Sequence, residues 1–151
     1  LHRRALAIRE RPVGKEHPSY AGTLAAIGED LREQGHAAEA LGHFERALEI
    51  LRPMGEHYTV GYVLAWQARA LLDLGRRREA IPKLDRALEM IPPTLPDWAH
   101  AAIALARALE PRGPRSERAR TLAQKALEIF TAVRAKEDRD RVAAYLARGT
   151  R

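Results

Sequence analysis

The side chains able to do chemistry are few and scattered. Two serines occur in 151 residues, Ser19 and Ser116, and both stand at expected helix starts, where a capping or first-turn role is the ordinary explanation. His36 and His43 lie seven residues apart with Glu39 between them and could share one helix face. A metal site usually needs three or four converging ligands, however, and the His-Glu-x-x-His arrangement is absent. His17 and His57 recur at one position of a repeat, which points to capping or hydrogen bonding between repeats rather than acid–base work. There is no phosphate-cradling glycine loop, and no nucleophile, base and orienting group can be assembled. The expectation is a chain that is not an enzyme and takes no catalytic residue, cofactor or metal.

Composition bounds the class further. Apolar residues make up 46% of the chain, charged residues 30%, and there is no cysteine, so a real core is possible and nothing requires an oxidising compartment. A cytoplasmic location is expected. The longest uncharged apolar run, Ala99 to Ala106, already holds His100 and falls far short of the ~20 residues of a membrane-spanning helix. The opening Leu1-His2-Arg3-Arg4 does not resemble a signal peptide, and the missing initiator Met suggests a fragment of a longer protein. The 28 Ala and 19 Leu against 5 Val and 7 Ile favour helices, since Ala and Leu lose little on entering one.

Self-similarity at a fixed period decides the architecture. The segment Arg4-Ala5-Leu6-Ala7-Ile8 returns as Arg46-Ala47-Leu48-Glu49-Ile50, Arg86-Ala87-Leu88-Glu89-Met90 and Lys125-Ala126-Leu127-Glu128-Ile129. Gly35, Gly75 and Gly113 precede the last three copies, where the C-terminus of a preceding helix would turn into a left-handed backbone. Each unit is therefore two helices joined by a tight turn, the first beginning near Pro18, Tyr58 and Pro96. Thr94 with Asp97 resembles a capping box, and Pro53 and Pro92-Pro93 close second helices. The expected helices are 1–11, 18–34, 37–52, 58–74, 77–91, 96–110, 115–134 and 137–148. Pro82 should bend its helix or delay its start, and Pro111 should fray the end of 96–110.

These units resemble the tetratricopeptide repeat over nearly the whole chain. The family's large apolar, small and Ala positions fall on Leu24, Ile27, Gly28, Leu31, Ala40, Phe44 and Ala47, then on Leu64, Ala68, Leu71, Ala80, Leu84, Ala87 and Pro92. In the third unit Ala106, Leu109 and Gly113 fit, with one extra residue before Ala119. A spacing near 40 and the Glu-His before the first helix (Glu16-His17, Glu56-His57) resemble the longer repeats of kinesin light chains and bacterial signalling proteins. The adjacent asparagines of that subgroup's first helix are here Ala25-Ala26 and Ala65-Trp66. The resemblance implies an all-α fold, an α-solenoid of antiparallel helix-turn-helix units. It divides into the second helix of a truncated repeat (1–16), repeats at 17–56, 57–95 and 96–134, and a C-terminal capping helix (135–151).

The same resemblance implies a protein-protein interaction scaffold, part of a larger bacterial signalling or regulatory protein. Its groove would be lined by first-helix positions, here Glu29, Arg32, Glu33, Tyr62, Ala65, Arg69, Asp73, His100, Ile103 and Arg107. Tyr62, Trp66, Arg69 and Asp73 are spaced i, i+4, i+7, i+11 and form one helical stripe rich in the residue types of binding hot spots. Trp66 could equally pack as core, and Trp98 at a helix start leans that way. Residues 1–110 balance 15 basic against 15 acidic side chains, so the whole +6 lies in 111–151. Acidic residues interrupt that stretch and Tyr145 is its only tyrosine, with no tryptophan, so nucleic acid is disfavoured as a partner and no membrane contact is expected. A protein or peptide segment is the expected partner. Oligomerisation through the solenoid ends is the alternative reading, and the sequence does not fix the oligomeric state.

Overall fold

A computed structural model describes residues 17–55 and 57–149. The helix expected over 1–11, and with it the truncated upstream repeat, lies outside the described residues. Seven α-helices occupy the described chain: α1 (Pro18–Glu33), α2 (Ala37–Leu51), α3 (Tyr58–Asp73), α4 (Arg77–Met90), α5 (Pro96–Leu109), α6 (Glu117–Ala132) and α7 (Lys136–Arg148). A 3-10 turn, Arg52–Met54, holds Pro53 and ends α2. Among the described residues there is no strand.

Local chemistry sets the helix starts. His17 and His57 are N-caps: each imidazole Nδ1 accepts the backbone N–H two residues on, from Ser19 at 3.1 Å and Thr59 at 3.2 Å. The recurrence of histidine thus has a capping cause. Ser116 caps α6, its Oγ accepting from the N–H of Ala119 at 3.3 Å. The capping box at Thr94 and Asp97 does not form. With Pro96 fixed at the first helical position, Leu95 becomes the N-cap and makes no side-chain cap bond. Asp97 instead places its charge in the first turn, at the positive end of the helix dipole.

Tight turns join α1 to α2 and α3 to α4. Gly35 (φ 85°) and Gly75 (φ 73°) take the left-handed conformation, and the next N–H reaches back to Leu31 and Leu71 carbonyls at 2.8 Å. The same turn follows α6, but there Arg134 stands at φ 58°. Pro82 neither delays nor ends α4, which begins at Arg77 and runs through it.

Each helix pair packs along small residues. Ala21, Ala40, Ala47, Ala68, Ala80 and Ala87 are fully buried, and a Cβ on Gly28 would stand 2.7 Å from the Phe44 ring, so α1 and α2 depend on the bare glycine for their approach. Helices pack consecutively, α1 on α2 through α6 on α7, while the first helices also touch one another, α1 with α3 and α3 with α5. Closer spacing of the first-helix layer is what curves a solenoid, with that layer on the concave side. The buried apolar side chains form one core running through all the helices. Phe44, Leu84 and Phe130, one on each second helix, are at most 1% exposed. Helix α7 packs on α6 and reaches back to α5: Tyr145 is fully buried, and its hydroxyl donates to the carbonyls of Ala106 (2.8 Å) and Glu110 (2.9 Å) at the end of α5.

Candidate functional site

The concave face is divided electrostatically. At its α1–α3 end a network of ion pairs crosses between repeats. Arg32 donates to Glu29 through Nε (2.8 Å) and Nη2 (3.0 Å) and to Asp73 through Nη1 (2.9 Å), while Arg69 donates to Glu29 Oε1 at 2.8 Å. Glu29 and Arg32 are only 15% and 12% exposed, so the pairs are partly desolvated and correspondingly stronger than surface pairs. The hydrogen bond to Glu29 is the leading cause that holds the Arg32 guanidinium above its ordinary pKa. Four of the expected groove residues, Glu29, Arg32, Arg69 and Asp73, are thus engaged with one another. They tie α1 to α3.

Further along, two recesses of about 600 and 400 Å3 share Arg69, Ala104 and Arg107. The first runs between α3 and α5 and takes in Arg32, Asp73, Arg77 and Pro111. The second is walled by Glu33, His100 and Ile103 and by Phe130, Asp138, Arg141 and Val142 of α6 and α7. His100 stacks obliquely on Phe130, with ring centroids 4.8 Å apart, and its Nε2 lies 3.9 Å from Asp138. Burial pushes the imidazole below the ordinary histidine pKa, Asp138 pulls it back, and the Arg69 charge lowers it again.

Tyr62 and Trp66 sit apart from these two recesses, around a narrow cleft of about 20 Å3 with Asp97 and His100. Trp66 is half-buried against the core. Burial, and then the neighbouring Asp97, push the Tyr62 phenol up. Trp98 is core: it is 6% exposed and its indole N–H donates to the Leu88 carbonyl at 3.3 Å.

The structure therefore brings Glu33, Arg69, His100, Ile103 and Arg107 to one concavity and sets the Tyr62–Trp66 stripe at its margin. First-helix periodicity could not indicate Phe130, Asp138, Arg141 and Val142, which come from later elements. The one signal for Arg141 was its place in the basic C-terminal stretch. Among the described residues no three His, Asp or Glu side chains converge as metal ligands, and no helix is long and apolar enough to cross a membrane.

Residues 1–52 match the family described as tetratricopeptide repeat. Two crystal structures of the nearly identical TPR-like repeats of a putative kinesin light chain from Podosopora anserina have the same fold. One superposes with a TM-score of 0.63 at 16% identity, covering 95% of this chain and 81% of that one. The other, of a substituted form of those repeats, gives 0.67 at 22% identity, covering 98% and 73%. No curated protein sequence matches the chain. The sequence match covers the first third of the chain, and the helix pairing and the superpositions show the α-solenoid fold of such repeats. Such repeats generally mediate protein-protein interaction.

Proposed function

We propose that the chain is a non-enzymatic scaffold whose concave first-helix face holds an extended or helical segment of a partner protein, within a cytoplasmic signalling or regulatory protein. The observation that carries this reading is the pair of recesses that meet at Arg69 and Arg107. They join apolar floor (Ile103, Ala104, Phe130, Val142) to charged rim in the way a side-chain-reading groove requires. Helix α7 acts in this reading as the cap of the last repeat, offering a polar outer face.

The test is selection of a random 16-residue peptide library on the chain, followed by calorimetry with the enriched peptides. Tyr62→Ala combined with Arg69→Gln should weaken binding about tenfold or more while the variant keeps its helical circular dichroism, because Arg32 still neutralises Glu29. Unchanged affinity in the folded double variant would move the site off this face.

A further inference from the structure

The aromatic margin of the concave face carries a charge that nothing beside it balances. Tyr58, Tyr62 and Trp66 follow one another at i, i+4 and i+8 and so share one face of α3. Tyr58 is 51% exposed, its ring edge-to-face on Tyr62 at 5.7 Å and tilted against His57 at 4.2 Å. Tyr62 and Trp66, both half-buried, line the narrow cleft together with Asp97 and His100 of α5. Asp97 is half-buried as well, and among the described residues it has no hydrogen bond or ion pair. The basic groups that border the cleft do not neutralise it. Arg69 is taken by Glu29 at 2.8 Å, and His100 is uncharged at neutral pH because burial lowers its pKa.

We infer that this cleft between α3 and α5 is a subsite for a lysine side chain of the bound partner, its ammonium received by Asp97 and its stem laid along the Tyr62 and Tyr58 rings. The inference rests on the scaffold reading above and adds the chemistry of one of its contacts.

Three physical arguments select lysine. An apolar occupant would strip water from the Asp97 carboxylate and return nothing, whereas an ammonium returns a charge-assisted hydrogen bond. The cleft, at about 20 Å3, is little larger than the ~10–15 Å3 that one water needs. It takes a compact ammonium on a slender stem more readily than the planar fork of a guanidinium or a ring. The rings supply the rest: aromatic faces attract a cation, tryptophan most strongly, and a lysine stem covers apolar surface while its charged tip stays in a polar setting. That Asp97 acts on the Tyr62 phenol, raising its pKa after burial has done so, agrees with carboxylate and ring meeting one guest.

The experiment uses the full chain and the enriched library peptides, which should carry a lysine at a fixed position. Acetylation of that lysine should weaken binding about tenfold by calorimetry, and arginine in its place about threefold. Asp97→Asn should cost the lysine peptide about tenfold and the acetylated peptide almost nothing, so that the four affinities report one shared contact. Tyr58→Ala should weaken the lysine peptide about threefold, and Glu49→Gln, at an exposed position of α2, should leave it unchanged. The acetylation arm leaves the protein untouched and stands even where a variant fails to fold. Groove-binding peptides without a fixed lysine, or losses from acetylation and Asp97→Asn that simply multiply, would overturn the subsite and leave the scaffold reading standing. A fixed proline or apolar residue whose binding depends on Tyr58 and not on Asp97 would overturn it by assigning the rings to an uncharged occupant. Failure of any peptide to bind would remove the scaffold reading and the subsite with it.

Discussion

Gln67 occupies the tenth position of α3, where α1 has Ile27 and α5 has Leu105, and its buried Oε1 has no hydrogen-bond partner among the described residues. An unpaired buried amide oxygen costs the fold its desolvation without return. Gln67→Leu should therefore stabilise the chain by about 1 kcal/mol, read as a higher urea midpoint with an unchanged slope. His100 makes a second prediction at the same scale. Its folded pKa lies below that of the unfolded chain because burial disfavours the charged ring. The unfolded state then binds the proton more readily, and stability should fall as pH drops through about 6.5 toward the folded value. Denaturant midpoints at pH 7.5 and 5.5 should differ more in the parent chain than in His100→Gln. An equal difference would remove the burial argument.

At the scale of the element, Glu29 links repeats forty residues apart by accepting from both Arg32 and Arg69. Glu29→Ala leaves two partly buried guanidiniums short of a counter-ion, and should cost about 2 kcal/mol in chemical denaturation, whereas Glu49→Ala, at an exposed position of α2, should cost less than about 0.5 kcal/mol. The helices themselves were legible: repeated Ala-Leu-Glu segments and Gly35 and Gly75 place the described helix ends within two residues. Capping was legible where one side chain decided it, at His17, His57 and Ser116. It failed at Thr94, where the proline at 96 overrode the polar candidate. The Glu29–Arg69 contact was not legible, because it depends on the rotation of one repeat against the next, which the hydrophobic pattern within a repeat does not encode.

Over the whole molecule, the groove emerges from stacking. No single pair contains it, since Arg69 comes from α3, His100 and Arg107 from α5, and Asp138 and Arg141 from α7. The resemblance named the first three as groove positions and was silent on α7, whose sequence reads as a narrow apolar stripe (Val142, Tyr145, Leu146) among charges, and so as a cap alone. The central claim is that the concave face, from α3 to α7, is the surface that meets a partner. Its most direct test is titration of the isotopically labelled chain with an enriched library peptide, following backbone amide shifts by NMR. The predicted result is a contiguous set of large shifts at Arg69, His100, Ile103, Arg107 and Arg141. Shifts centred on the outer helices, around Glu45, Lys83 and Arg120, with those five residues unmoved, would contradict it.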